Sequence, residues 1–71
     1  MNRTELKTLR LIQNHPAVAE VYHEDENGWW YHLKDGWING ECHGTVWRED
    51  TLLELRASLR FVRPRVKEDP L

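Results

Sequence analysis

The strongest constraint on the fold is the run from Asn27 to Trp37, which holds three of the four Trp residues of the chain. Asn27-Gly28 opens the run and Asn39-Gly40 follows it, and both pairs favour tight turns between antiparallel strands. The residues between them are rich in aromatic side chains, which is typical of a strand. The run is therefore predicted to be the central strand of a small sheet.

A preceding strand is predicted over residues 17–24 because Val and Tyr side chains suit a pleated surface. The turn after it is open between two residues (27–28) and three residues (26–28). The three-residue turn is preferred because it pairs Val21 with Leu33, whereas the two-residue turn pairs Val21 with Lys34. It places Trp30 on the opposite face of the sheet from Trp29.

The second connection has two candidate tips, Asp35-Gly36 and Asn39-Gly40, since both pairs favour hairpin turns. A tip at Asn39-Gly40 sets Leu33 against Val46 and leaves residues 42–47 as the third strand. A tip at Asp35-Gly36 pairs Leu33 with Ile38 instead. The first arrangement is preferred, because its third strand is compact.

A helix is predicted on each side of these strands. The first runs from Thr4 to Asn14 behind a capping pair, Asn2 with Glu5, and ends before Pro16. The second starts at a Thr-x-x-Glu capping box at Thr51 and continues until Pro64 stops it. It presents two apolar stripes: Leu52, Leu55, Leu59 and Val62 towards the sheet, and Leu53, Ala57 and Phe61 on another side.

These elements predict a two-layer α+β domain with the order α-β-β-β-α, in which two helices cover one face of a three-stranded antiparallel meander. With 71 residues that are 39% hydrophobic, the chain can build one core. Residues 1–63 are assigned to this single domain and residues 64–71 to a basic, flexible C-terminal tail.

Charge and composition narrow the function classes. Residues 1–59 carry ten acidic and six basic side chains, and the overall charge of −2 gives no long-range attraction to phosphate backbones. The lone Cys42 allows no internal disulfide, and nothing near the start of the given sequence resembles a secretion signal, so a cytoplasmic location is expected. No apolar run reaches the ~20 residues that span a bilayer, so no membrane partner is expected.

No pattern of catalytic or metal-binding residues stands out. The four His residues and Cys42 form no Cys-x-x-Cys or His-x-x-x-His pair, so neither a metal nor a cofactor is predicted. Cys42 is expected to be a buried small hydrophobe, with no glycine loop nearby to stabilise an oxyanion. The chain is therefore not expected to be an enzyme.

The order α-β-β-β-α also describes double-stranded RNA-binding domains. Those domains place lysines at the start of the last helix, where the side chains meet phosphates, whereas this chain has Arg48-Glu49-Asp50-Thr51 there. Acidic residues at that point would repel RNA, so the likeness concerns topology alone.

A second resemblance lies in the sequence of the Trp-rich run, Gly28-Trp29-Trp30-Tyr31-His32-Leu33-Lys34-Asp35-Gly36-Trp37, which is followed by His43 and by Glu49-Asp50-Thr51. It resembles a group of small bacterial and phage-borne proteins with the pattern Trp-x-Tyr-Leu-Lys-Asp-Gly-Trp … His … Glu-Asp-Thr. The match covers about residues 18–60, with His32 as an extra residue inside the pattern. The resemblance implies a phage or mobile-element accessory protein, and it assigns no catalytic or binding residue.

The sheet face away from the helices is the predicted partner-binding surface, because contiguous exposed aromatic groups tend to mark interfaces. Its expected members are Tyr22, Trp30, His32, Lys34 and Trp47. A protein partner or a second copy of the chain is the preferred occupant. The alternative is single-stranded nucleic acid, stacked on the aromatic rings and held by the tail residues Arg60, Arg63, Arg65 and Lys67.

Overall fold

A computed structural model of the chain describes residues 1–66. In chain order these residues form α1 (Arg3–Gln13), β1 (Val18–Glu24), β2 (Gly28–Leu33), β3 (Trp37–Asn39), β4 (Val46–Glu49), α2 (Leu52–Ser58), a 3₁₀ turn (Leu59–Phe61) and β5 (Val62–Pro64). The predicted α+β class is confirmed. So is the order of two helices around a three-stranded antiparallel sheet.

Within residues 1–66, the main sheet has the strand order β1-β2-β4, and β3 and β5 form a small second sheet. Both helices lie on one face of the main sheet. Their starts are the predicted ones: the Asn2 side chain accepts a hydrogen bond from the backbone N–H of Glu5 at 2.8 Å, and Thr51 Oγ1 accepts one from that of Glu54 at 3.2 Å. Such caps satisfy amides that lack a partner within the helix.

The first hairpin has a three-residue loop, as predicted, but the loop is 25–27 and not 26–28. Val21 therefore pairs with Tyr31 and Tyr22 with Trp30, so the expected pairing of Val21 with Leu33 is wrong by two residues. Because side chains alternate between the faces with a period of two, a shift by two leaves every side chain on its predicted face. Gly28 has a φ of +83°, in the left-handed region that glycine adopts without steric cost.

The second connection is neither of the two predicted hairpins. The chain turns at residues 34–37, where Trp37 N donates to Lys34 O at 3.2 Å, and then leaves the main sheet. It forms β3, which pairs with β5, and returns to the main sheet only at β4. There Tyr31 pairs with Trp47 and His32 with Val46, so the expected pairing of Leu33 with Val46 is wrong by one residue.

The second helix is shorter than predicted. It ends at Ser58, and residues 62–64 form β5, which pairs antiparallel with β3. Pro64 lies at the end of this strand opposite Trp37, and Arg65 N extends the pairing by donating to Gly36 O at 2.8 Å. The predicted flexible basic tail covered residues 64–71, and residues 67–71 of it, including Lys67, lie outside the described residues.

The core lies between the helices and the main sheet. Its buried apolar members are Ile12, Ala17, Val18, Tyr31, Leu33, Leu52 and Leu55. The second apolar stripe of α2 stays largely outside it, with Leu53 at 64% exposure. No helix within residues 1–66 is long and apolar enough to cross a membrane.

Candidate functional site

The sheet face opposite the helices carries three of the five predicted partner-binding residues, and Tyr22 contacts both of the others. The rings of Tyr22 and Trp30, which are cross-strand partners, are nearly parallel, with centroids 6.4 Å apart. Tyr22 also reaches diagonally to His32, where its hydroxyl lies 2.9 Å from Nε2. We call this group of Tyr22, Trp30 and His32 the aromatic cluster.

Charged side chains border the aromatic cluster on two strands. Glu20 lies opposite His32 and Glu24 opposite Gly28, both on β1. Partial desolvation, followed by the charges of Glu24 and Glu20, raises the pKa of Tyr22 above its usual 10.0. Tyr22 therefore stays protonated at neutral pH, and its hydroxyl can pair with either tautomer of the His32 ring, as donor or as acceptor.

Arg48 borders the cluster on β4, directly across from Trp30. Its guanidinium forms an ion pair with Asp50 at 2.6 Å and its Nε donates to the backbone carbonyl of Asn27. These contacts use two of its five N–H donors. The sequence did not indicate this residue for the face because the register of β4 was expected one position away.

Trp30 has one polar atom without a partner. Its indole Nε1 is buried and donates to no acceptor within the described part of the chain. A buried N–H without an acceptor costs about 1–3 kcal/mol. The position of Trp30 is therefore maintained by ring packing, with no hydrogen bond from the indole.

Two predicted members do not join the cluster. Trp47 pairs with Tyr31, so it lies on the helix side of the sheet, where it packs against the core and donates from Nε1 to Glu49 at 2.9 Å. Its assignment to the open face is wrong, because a shift of one residue in register moves a side chain to the other face. Lys34 lies beyond the end of β2, in the turn that leaves the sheet, and its backbone N donates to Ala17 O.

A buried polar cluster, which the sequence did not indicate, joins the two sheets to α2. Asn39 is fully buried, and its Nδ2 donates to the Tyr31 hydroxyl at 2.9 Å. Ser58 Oγ lies 3.2 Å from the same hydroxyl and 2.6 Å from Leu55 O. Because the serine proton goes to the closer carbonyl, the tyrosine hydroxyl donates to Ser58 and accepts from Asn39, and each of these groups is satisfied.

Burial raises the pKa of Tyr31 above 10.0, although Ser58 and Asn39, which can both donate hydrogen bonds to the ionised phenolate, oppose that rise. The cluster is closed by the core and by neighbouring backbone, since Asn39 Oδ1 also accepts from Glu41 N at 2.9 Å. It offers no open position for a substrate. Its role is to hold the segment between β3 and β4 against the core.

The Cys and His side chains that were considered as catalytic or metal-binding groups do not lie together. Cys42 is exposed, so the expectation that it is a buried hydrophobe is wrong; the segment around it is a turn, where the sequence suggested a strand. His23 packs against Trp29 on the helix side, with ring centroids 4.9 Å apart, while His32 lies on the open face. Residues 1–66 contain no group of three or more His, Cys, Asp or Glu side chains placed to hold a metal ion.

The chain was compared with known protein families, proteins and structures. The chain has no significant match among models of protein families, among curated proteins or among solved structures.

Proposed function

We propose that the chain is a small non-catalytic interaction module that self-associates through the open face of its main sheet. The observation that carries the proposal is the aromatic cluster, a group of three neighbouring rings on a sheet face that carries no helix. Partly exposed Trp and Tyr rings are the side chains that contribute most when a second protein surface covers them. A phage or mobile-element setting rests on the resemblance of the Trp-rich run alone.

The charges on the face favour a second copy of the chain as the partner. A two-fold axis parallel to β2 would stack two faces with β1 of one copy over β4 of the other. The acidic edge formed by Glu20 and Glu24 would then face the edge that carries Arg48, and Trp30 would meet its own counterpart. Aligned stacking of two sheets is a common packing mode, and two-fold symmetry makes such an interface self-complementary.

Nucleic acid fits this face less well. Base stacking on aromatic rings is normally combined with basic groups that track the backbone. The aromatic cluster is bordered by the carboxylates of Glu20 and Glu24, which would repel phosphates, and the single positive charge of Arg48 does not offset both of them. Arg63 and Arg65 belong to the other sheet and its extension.

Sedimentation velocity from low micromolar to millimolar concentration tests the proposal. The wild-type mass is expected to rise from 8.5 kDa towards twice that value. Trp30→Ala should keep its helical circular dichroism and remain monomeric. Leu53→Ala, which removes an exposed apolar side chain from α2, is the matched control and should dimerise as the wild type does.

Three results would contradict the proposal: a wild-type monomer at the highest concentration, a Trp30→Ala variant that still dimerises, or a Leu53→Ala variant that does not. Trp29→Ala checks the assignment of faces independently. Trp29 packs against the core, so we expect this change to lower the free energy of unfolding by about 2–3 kcal/mol, somewhat less than for a fully buried Trp.

A further inference from the structure

A groove lies at the second sheet, away from the aromatic cluster. Its walls are the β3–β5 pair on one side and the loop before β4 on the other. The side chains that matter for its chemistry are Asp35, Ile38, His43, Thr45, Arg63 and Arg65. This surface takes no part in the self-association proposed above.

The pairing of β5 brings the two arginines to the same wall. Arg63 pairs with Ile38, and the backbone N–H of Arg65 continues the ladder to Gly36 O at 2.8 Å. Side chains two residues apart in an extended chain point to the same side. Arg63 and Arg65 are therefore neighbours, and both are exposed.

The opposite wall is held in an uncommon backbone conformation. His43 has a φ of +56°, in the left-handed region that residues other than glycine seldom adopt. Its N–H donates to Asn39 O at 2.9 Å, and Asn39 N donates to Gly44 O at 2.9 Å. Because Asn39 is fully buried, the loop is fixed to the core and keeps His43 at the groove.

The charges of the groove are unbalanced. Within residues 1–66 the guanidiniums of Arg63 and Arg65 form no ion pair, since the one ion pair found there joins Arg48 to Asp50. Asp35 is the one carboxylate in the lining, so the two arginines leave an excess positive charge. The hydroxyl of Thr45 and the ring of His43 add polar groups that can donate hydrogen bonds.

We propose that this groove binds a phosphate group. Guanidiniums match phosphate oxygens in geometry and form strong, charge-assisted hydrogen bonds with them. A phosphate monoester has three strongly accepting oxygens, enough to bond Arg63, Arg65 and the Thr45 hydroxyl together, whereas a carboxylate has only two. Ile38 forms an apolar part of the groove, on which the rest of a phosphorylated ligand can lie.

A nuclear magnetic resonance titration of the full chain with inorganic phosphate tests the proposal, read at the His43 ring and the Arg63 and Arg65 Nε–H groups. We expect saturable shifts with a dissociation constant in the millimolar range. Arg63→Gln and Arg65→Gln should each weaken binding about tenfold, the loss expected when one charge-assisted hydrogen bond of ~1.4 kcal/mol is removed. Arg3→Gln, an equal change of charge at an exposed site on α1, is the matched control and should bind as the wild type does.

Glu68 and Asp69 follow Arg65 closely in the sequence and are potential competitors for the arginines. The titration is therefore repeated on the double variant Glu68→Gln/Asp69→Gln, and saturable binding in either form supports the proposal. Absence of saturable shifts in both forms would overturn it. Equal weakening by Arg3→Gln, or equal binding of acetate at the same ionic strength, would also overturn the assignment to phosphate.

Discussion

Removal of the Tyr31 hydroxyl is the most direct test of the buried polar cluster. Tyr31→Phe leaves the ring in the core but deletes the acceptor of Asn39 Nδ2, which retains only a long 3.5 Å contact to Ser58 O. Two hydrogen bonds are lost, one with Asn39 and one with Ser58, and the buried Asn39 donor is left poorly satisfied, which together cost about 1–3 kcal/mol. At roughly 0.05–0.15 kcal/mol per residue, the whole domain has only about 4–11 kcal/mol of stability.

Urea unfolding followed by Trp fluorescence measures this loss. With a denaturant slope of ~1 kcal/mol/M for so small a protein, the midpoint should fall by about 1 M or more. Tyr22→Phe is the matched control, because it deletes a hydroxyl that bonds His32 on the open face, where water can take its place. Its midpoint should stay close to that of the wild type.

A double-mutant cycle with Asn39→Ala then separates the hydrogen bond from the other effects. Because the two side chains contact each other directly, the losses should not add, with a coupling energy of about 0.5–3 kcal/mol. An unchanged midpoint for Tyr31→Phe, or additive losses in the cycle, would refute the reasoning and mean that the two groups are hydrated or apart in solution.

Three further predictions concern backbone conformation, helix capping and pH. Gly28→Ala should lower the free energy of unfolding, measured in urea, by at least about 2 kcal/mol, because φ is +83° and an added Cβ would lie 2.6 Å from Glu49 O. Gly36→Ala should lower it by only about 1 kcal/mol, because φ is +90° but the added Cβ would enter open space. Thr51→Ala should lower the free energy of unfolding by about 1 kcal/mol, and an unchanged midpoint would show that α2 starts elsewhere. Because the pKa of Tyr31 is raised in the folded state, its contribution to stability is fully present below pH 10 and is lost as the pH rises through the folded-state pKa. Urea midpoints measured upward from about pH 9 should therefore fall more steeply with pH for the wild type than for Tyr31→Phe. Equal slopes for the two proteins would contradict a raised pKa for Tyr31.

The aromatic cluster shows which features of the sheet could be predicted from the alternation of residues along a strand. The sequence alone placed Tyr22, Trp30 and His32 on one face and Trp29 on the other, although the predicted register was wrong by two residues. Alternation with a period of two is unaffected by a shift of two. The same reasoning failed for Trp47, because the register of β4 differs by one residue from the predicted one and one residue reverses the face.

The segment between β2 and β4 marks the limit of this reasoning. Asn39-Gly40 is a residue pair typical of an exposed hairpin turn, yet Asn39 is fully buried and its side chain donates a hydrogen bond to the Tyr31 hydroxyl. The strand in which it lies pairs with residues 62–64, a partner more than twenty residues away that the sequence had assigned to the end of a helix. Turn signals report what a short segment can do by itself; they carry no information about a distant partner.

The sequence by itself determined the helix starts, the α+β class and the faces of the first hairpin, because caps and alternation act within a few residues. Only the tertiary structure decided which strand lies beside β2 and β3, and hence the burial of Asn39, the place of Trp47 and the meeting of Arg63 with His43 across a groove. Those outcomes depend on contacts between segments far apart in the chain. Their free energies come from packing and from burying satisfied polar groups, which no local pattern records.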